Sequence, residues 1–136
     1  MSGDGYFIST DRALLNPEAI HRFLQESYWA NTRSLETVRR SLEHSVNFGA
    51  YVTATREQVG FARVVTDHAT FSWICDVVVD PAHRGHGLGK RLMEAIVAHP
   101  QISQTKCILG TRDAHGLYEK FGFVRREMMR RPGAEG

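Results

Sequence analysis

The segment HRGHGLGKRL, residues 83–92, constrains the fold of this chain more than any other stretch. It places glycines at positions 85, 87 and 89 directly before apolar residues that recur at helical spacing. Glycine permits positive φ and lets a ligand approach the backbone closely. The first turn of a helix adds unpaired N–H groups and a partial positive charge. The segment therefore predicts a loop that enters a helix and holds a phosphate group, although such loops also make ordinary strand-to-helix turns.

Two common phosphate-binding motifs do not fit this loop. The dinucleotide fingerprint needs Gly-x-Gly-x-x-Gly, whereas Gly85, Gly87 and Gly89 are evenly spaced by two. The P-loop needs a longer gap between glycines and then Lys followed by Ser or Thr, and here Arg91 stands in that last place. The loop is therefore either a phosphate-binding loop of another type or an ordinary strand-to-helix turn.

The hydrophobic pattern of the whole chain predicts a mixed α/β fold. Apolar residues recur at helical spacing in two segments before residue 46, and β-branched and aromatic residues dominate three consecutive segments after it. The predicted order is β-α-α-β-β-β-α-β-α-β. Strands are predicted at 6–9, 46–55, 58–67, 70–80, 106–111 and 123–129, and helices at 16–29, 34–45, 88–99 and 113–121. The three middle strands form an antiparallel meander, and the helix after them makes the strands at 70–80 and 106–111 parallel neighbours.

Residues suited to helix ends delimit these helices. Asn16, Ser34 and Asp113 are predicted N-caps, because their side-chain oxygens accept hydrogen bonds from N–H groups of the first turn. Pro17 suits the first helical position. Gly122 is predicted to end the last helix, since a helix often stops at a glycine in the left-handed conformation.

The composition favours one folded domain over residues 1–136. An apolar share of 42% is enough for one core, and the formal net charge of +2, with basic residues spread along the chain, argues against a nucleic-acid partner. No apolar stretch approaches the roughly 20 residues that a membrane helix needs. The N-terminus lacks the pattern of a signal peptide. We therefore expect a cytoplasmic protein, a monomer or homodimer, with no membrane partner.

The cysteine and histidine residues follow no metal-binding pattern. Cys75 and Cys107 lie inside apolar runs, which is typical of reduced core thiols in a cytoplasmic protein. The 7 histidines are scattered, and no ligand spacing joins them to the cysteines. We expect no metal site.

Two motifs together carry a family resemblance. Arg84, Gly87 and Gly89 form Arg-x-x-Gly-x-Gly, which closely resembles the acetyl-CoA loop of the GNAT superfamily of N-acetyltransferases. The segment AHGLYEKFGF, residues 114–123, is similar to the second signature of that family, and the expected strand lies between the two motifs. The resemblance implies a mixed, mostly antiparallel central sheet with helices on both faces, in which two strands splay apart to form the slot for acetyl-CoA.

The resemblance also implies where acetyl-CoA would bind. Its pyrophosphate would lie on the loop amides, and its pantetheine arm would pair with the preceding strand like an extra strand. The implied residues are Val77, Val78 and Val79 on the strand, and Arg84, Gly85, His86, Gly87, Leu88, Gly89 and Lys90 at the loop. Many family members carry Asn seven residues before the signature tyrosine, and Thr111 stands there in this chain, which puts a side-chain contact to the pantetheine in doubt.

Transfer of an acetyl group to an amine needs a neutral amine, a donor for the oxyanion and a proton for the departing thiolate. Tyr118 matches the family tyrosine that protonates the thiolate, and it can also pack in an apolar cluster. Asp76 is an acid in an apolar run, and such a charge needs a reason. It either accepts the proton of the amine, binds a cationic substrate or is hydrogen-bonded as part of the structure. A backbone N–H near Val77 is the candidate oxyanion donor.

The acceptor is less defined. The resemblance implies a groove lined by the first two helices and their connection, where Tyr28 and Trp29 form an aromatic wall or simply pack in the core. With Asp76 and Glu26, these residues favour a small-molecule amine or an amino group on a peptide. We predict an acetyl-CoA-dependent N-acetyltransferase that works by direct attack in a ternary complex. The alternative is a non-catalytic module that binds and senses acetyl-CoA.

Overall fold

The computed structural model describes residues 5–134, which form a mixed five-stranded sheet with helices on both faces. The strands are β1 (Tyr6–Ser9), β2 (Val46–Val52), β3 (Gln58–Thr66), β4 (Phe71–Val79) and β5 (Lys106–Leu109), and the α-helices are α1 (Pro17–Gln25), α2 (Leu35–Glu43), α3 (Leu88–Ala98) and α4 (His115–Glu119). The sheet order follows the chain from β1 to β5. The pairings are antiparallel up to β4, and β4 pairs with β5 in parallel. The predicted fold class, meander and parallel pair are confirmed.

Each face of the sheet carries its own apolar core. On one face α3 buries Leu88, Leu92, Met93 and Ile96 against the strands, as its helical spacing predicts. On the other face α1 and α2 bury Ile20, Phe23, Leu24, Val38 and Leu42, together with Phe61 of β3 and Val78 of β4. None of the helices in residues 5–134 has the length and apolar content to cross a membrane.

The predicted helix caps are confirmed at two helices. The Asn16 side chain accepts from the Ala19 N–H, and the Ser34 side chain accepts from the Thr37 N–H. The predicted extension of the first helix to residue 29 is wrong, because α1 ends at Gln25.

The Ser27 side chain takes part in ending α1. Its hydroxyl donates to the Leu24 carbonyl at 2.6 Å and accepts from the Ala30 N–H at 3.1 Å. These bonds accompany the turn of the chain out of the helix, and Ala30 at the end of the turn is buried in the core of α1 and α2.

The last helix begins differently from the prediction. Asp113 does not cap it; the Thr111 hydroxyl accepts from the Ala114 N–H at 3.0 Å. At the other end, Gly122 has φ of 89° and the Phe123 N–H donates to the Tyr118 carbonyl at 3.3 Å. That bond and the left-handed glycine are the features of a Schellman ending, so the predicted role of Gly122 is confirmed.

The predicted last strand, residues 123–129, is wrong. The segment forms no strand, and Val124, Met128 and Met129 are exposed. Charged residues at 125–127 fall on both faces of the expected alternation. Neither face is therefore apolar enough to be buried against the sheet.

Two irregularities of β4 position the site. Arg63 of β3 pairs with Asp76 and Val64 pairs with Ile74, so Cys75 is an extra residue, a β-bulge. The bulge turns Asp76 to the face of α1 and α2, while Ile74 packs in the α3 core. The pairing of β4 with β5 ends at Ile74 and Leu109. Within residues 5–134, the rest of β4 has no strand partner on that side, so the predicted splayed pair is confirmed.

Candidate active site

A cavity of about 1200 Å³ opens where β4 and β5 diverge. Its walls are the second half of β4, the glycine loop with the start of α3, the connection from β5 to α4, and the segment that follows α1. Residues from distant parts of the chain therefore meet in one space. The main lining segments are 26–29, 73–79, 84–85, 87–89, 109–114 and 117–118.

The glycine loop leaves backbone N–H groups open toward this cavity. Gly87 is the N-cap of α3, has φ of 73° and makes no side-chain cap. At the start of the helix, the Arg91 N–H donates to the Gly87 carbonyl at 3.0 Å. The amides of residues 88–90 precede it and have no carbonyl to reach within the helix. They present donors and the positive end of the helix dipole to an anion.

The space beside these amides is open. A Cβ atom built at Gly85, Gly87 or Gly89 would meet nothing within 4 Å. Gly85 also has φ of 87°, a conformation that strongly favours glycine. Arg84 is exposed and lines the same cavity. The loop therefore has the room, the donors and a nearby positive charge for a phosphate group.

Most residues predicted to bind the cofactor lie around the cavity. Those that line it are Val77, Val78, Val79, Arg84, Gly85, Gly87, Leu88 and Gly89. His86 and Lys90 are not among the lining residues, and the His86 ring lies 5.3 Å from the Tyr6 ring.

Tyr118 lies on α4 at the inner wall of the cavity. Its ring packs edge-on against Phe123 with centroids 6.1 Å apart. Burial raises the pKa of Tyr118 above its ordinary value, and the neighbouring Tyr28 and Asp113 raise it further. No hydrogen-bond partner of the Tyr118 hydroxyl occurs among residues 5–134. The phenol is thus protonated at neutral pH and has a proton to donate.

Asp76 is fully held by other side chains. Its side chain has 0% exposure. Trp29 Nε1 donates to Oδ1 at 2.7 Å, and Arg33 Nη1 and Arg63 Nε donate to Oδ2 at 3.1 and 2.9 Å. A carboxylate with these donors and no exposed surface is poorly placed to receive a proton from an incoming amine. The contacts favour the structural alternative for Asp76.

Tyr28 and Trp29 both line the cavity, in different ways. Their rings meet edge-on with centroids 5.1 Å apart. Trp29 is anchored to Asp76, whereas Tyr28 is 40% exposed at the mouth. The Tyr28 hydroxyl accepts from the Arg112 N–H at 2.8 Å, and the Arg112 guanidinium carbon lies 3.8 Å from the ring centroid. The tyrosine face therefore already carries a cation of the chain itself.

Three arginines of the site were missed from the sequence. Arg63, like Asp76, is a charged residue inside an apolar strand (GFARVV) and could have been singled out for that reason. In the structure the two residues form an ion pair with each other. Arg33 and Arg112 lie in connections whose sequence carries no comparable signal. Thr111, where many family members have Asn, accepts from the Ala114 N–H just before α4 and also lines the cavity.

Sequence comparison relates this chain to acetyltransferases. The sequence profile of the acetyltransferase (GNAT) domain matches residues 46–125. FG08082 of Gibberella zeae, a proposed acetyltransferase, is 30% identical over 85% of this chain and 76% of that protein. Matches to three further curated relatives, from Glycine max and Porphyra purpurea, span 23% to 56% of those proteins' lengths.

Solved structures of GNAT-family proteins share the fold of this chain. A GNAT-family protein of Xanthomonas campestris pv. campestris is 42% identical, with a TM-score of 0.88 over 94% of this chain and 93% of that one. A GNAT acetyltransferase of Elizabethkingia anophelis, solved with acetyl-CoA bound, shares the fold with a TM-score of 0.67 at 18% identity, over 91% of this chain and 79% of that one. The profile covers more than half of the chain, and FG08082 and the Xanthomonas campestris protein align over most of it. The chain therefore belongs to the GNAT acetyltransferase family.

Proposed function

We propose that this protein transfers an acetyl group from acetyl-CoA to a primary amine, by direct attack of the amine in a ternary complex. One observation carries the proposal: a single cavity is lined by Leu88 and Gly89 at the open start of α3 and by Tyr118, whose raised pKa keeps its hydroxyl protonated at neutral pH. Acetyl-CoA carries a pyrophosphate at one end and a thioester at the other. The pyrophosphate needs an anion site, and the thiolate that leaves the thioester needs a proton donor. Membership of the family supports the same reaction.

The residues present fit acetyl-CoA. The open space at Gly87 and Gly89 and the donors of the α3 N-terminus suit a pyrophosphate, and Arg84 adds a guanidinium. The backbone of residues 77–79 is free on the β5 side within the described chain and suits an extended amide arm. The bound acetyl-CoA of the Elizabethkingia anophelis protein is consistent with this assignment.

Acetyl-CoA, when bound, supplies the acetyl thioester. We assign to Tyr118 the proton that the departing thiolate needs, because its hydroxyl is protonated and faces no competing partner in the described chain. The backbone near Val77, at the lining of the cavity, is our candidate for the donor that stabilises the oxyanion. The amine must be neutral to attack, and a free alkylamine has a pKa near 10, so we expect the rate to rise with pH up to that range.

We assign Asp76 a positioning role. It fixes Trp29, Arg33 and Arg63 at the acceptor end of the cavity. Acceptance of the amine proton by Asp76 would require it to give up one of these bonds, and solvent is the simpler acceptor. This assignment is separable from that of Tyr118, because the two residues lie on different elements.

Two measurements on the same protein test the proposal. Calorimetric titration gives the affinity for acetyl-CoA, and release of free CoA is then followed with a panel of primary amines. We expect binding and amine-dependent CoA release. Tight binding with no CoA release above background for any amine would instead support the sensing module.

A further inference from the structure

The acceptor end of the cavity has a surplus of positive charge. Arg33, Arg63 and Asp76 form a nearly buried cluster in which two guanidiniums share one carboxylate oxygen, with side-chain exposures of 10%, 12% and 0%. Their formal charges sum to +1. A positive charge in such a place is costly unless acceptors surround it, because little water reaches it. An anion in the adjoining cavity would offset that cost.

The guanidinium of Arg63 has a donor left for such an anion. Its Nε donates to Asp76 and its Nη1 donates to the Ser45 hydroxyl at 3.2 Å. Among residues 5–134, no partner of Nη2 occurs. Arg63 lines the cavity, so this nitrogen belongs to a side chain that borders the acceptor space.

Arg112 provides a second guanidinium at the mouth. It is stacked on the exposed ring of Tyr28, and in the described chain its guanidinium makes no hydrogen bond. Stacking fixes the plane of the group and leaves its N–H edge available for a carboxylate or a phosphate. Arg112 lines the same cavity as Arg63.

The acids around the cavity do not cancel this charge. Apart from Asp76, the acidic lining residues are Glu26 and Asp113, and both are exposed, so water screens them. Arg130 of the C-terminal segment adds another positive charge to the lining. The charged lining residues that water screens least are Arg33, Arg63 and Asp76, and their formal charge together is +1.

We propose that the acceptor is a small primary amine that carries an anionic group, a carboxylate or a phosphate, held between Arg63 and Arg112. Tyr28 and Trp29 line the same cavity as these arginines. This inference rests on the proposed function and narrows its substrate class. It replaces the expectation of a cation-binding groove, because the acid on which that expectation depended is already neutralised.

Matched acceptors test the charge preference directly. β-Alanine is compared with propanolamine and diaminopropane, phosphoethanolamine with ethanolamine, and phenylalanine with phenylalanine amide. We expect kcat/KM to be roughly tenfold or more higher for the anionic member of at least one pair, since charge-assisted bonds to arginine are strong. The pair with the larger ratio tells a carboxylate from a phosphate.

A variant at the mouth tests the residue assignment. Arg112→Gln removes the guanidinium and keeps the backbone N–H that Tyr28 accepts. It should lower the anionic preference several-fold without changing the affinity for acetyl-CoA. Arg39→Gln is the matched control, because Arg39 is an exposed arginine of α2 that pairs with Glu18 outside the cavity. It removes the same formal charge and should leave the preference unchanged.

The outcomes separate this inference from the proposed function. If a neutral amine, diaminopropane or a lysine peptide is acetylated as well as the anionic amines or better, the function stands and the inference is overturned. An anionic preference that survives in Arg112→Gln as it does in Arg39→Gln overturns the assignment of Arg112. If no amine releases CoA, both proposals fail.

Discussion

Arg63 and Asp76 face each other across β3 and β4, with the Arg63 Nε atom 2.9 Å from Asp76 Oδ2. The pair exists because the bulge at Cys75 shifts the alternation of β4 by one residue. Without it, the carboxylate would point into the apolar α3 core. The bulge therefore places a charged cluster at the point where the strands separate.

Asp76→Asn should destabilise the fold. It leaves two nearly buried arginines without their carboxylate, and loss of one partner of a buried pair costs about 3–5 kcal/mol. Urea unfolding measures the change. Glu18→Gln, which breaks the exposed pair with Arg39, is the control and should cost under about 1 kcal/mol. A variant of full stability whose activity is lost at neutral pH and recovers at high pH would instead make Asp76 the base.

Gly89→Glu should abolish acetyl-CoA binding while the protein stays folded. The added side chain enters the open space beside the loop amides and brings a negative charge to the proposed pyrophosphate site. Gly89 has ordinary helical φ, unlike Gly87, so the substitution introduces no left-handed strain. Calorimetry gives the affinity. Gly116→Glu, on exposed α4 surface outside the cavity lining, is the control, and equal affinities in both variants would refute the loop assignment.

Tyr118→Phe should lower kcat by roughly 10²- to 10⁴-fold, the usual contribution of general acid catalysis. The ring and its contact with Phe123 remain, so the affinity for acetyl-CoA and the melting temperature should change little. Steady-state kinetics measures the loss. Because the pKa of Tyr118 lies above its ordinary value of 10.0, the parent should lose this acid only at pH values above 10. A kcat within a few-fold of the parent would leave Tyr118 as a wall of the slot.

Tyr51 should make stability fall at alkaline pH. Its hydroxyl is buried without a hydrogen-bond partner in the described chain, and burial, with a smaller effect of Asp11, raises its pKa to about 12. Below pH 10 the phenol is neutral in both states. Above that pH the unfolded chain loses the proton first, so stability falls until the pH reaches about 12.

The variant Tyr51→Phe isolates this effect. It should match or exceed the parent in stability at neutral pH, because it removes an unsatisfied buried hydroxyl that costs about 1–3 kcal/mol. The difference between variant and parent in urea unfolding should then widen between pH 10 and 12. A constant difference across that range would show that the pKa of Tyr51 does not differ between the folded and unfolded states. Tyr51 does not line the cavity, so this variant also serves as a control for Tyr118→Phe.

The sequence predicted what depends on local patterns. Periodicity gave the strands and helices, and side-chain chemistry gave the caps at Asn16 and Ser34. The glycine loop could be predicted because the residues that it needs, glycines that allow positive φ, are close neighbours in the sequence. The expected last strand failed, since strand propensity says nothing about whether a partner and an apolar face exist for residues 123–129.

The acceptor end depended on distant contacts. Asp76 was singled out, yet its partners Trp29 and Arg33 come from the connection after α1, more than forty residues earlier. The bulge that turns Asp76 toward them has no sequence signal of its own. A charged residue in an apolar strand indicates that a partner exists but not which residue it is. The sequence therefore left open whether Asp76 binds a cationic substrate or pairs with arginines of the chain, as it does in the structure.

The contact between Tyr28 and Arg112 joins residues 84 positions apart. It spans the mouth between the connection after α1 and the connection after β5, two stretches that no strand pairing ties together. Holding two residues so far apart in sequence costs loop-closure entropy, which the hydrogen bond and the stacking of Arg112 on Tyr28 offset. Both residues line the cavity, so an occupant that draws Arg112 away from the ring would open a wider entrance to it.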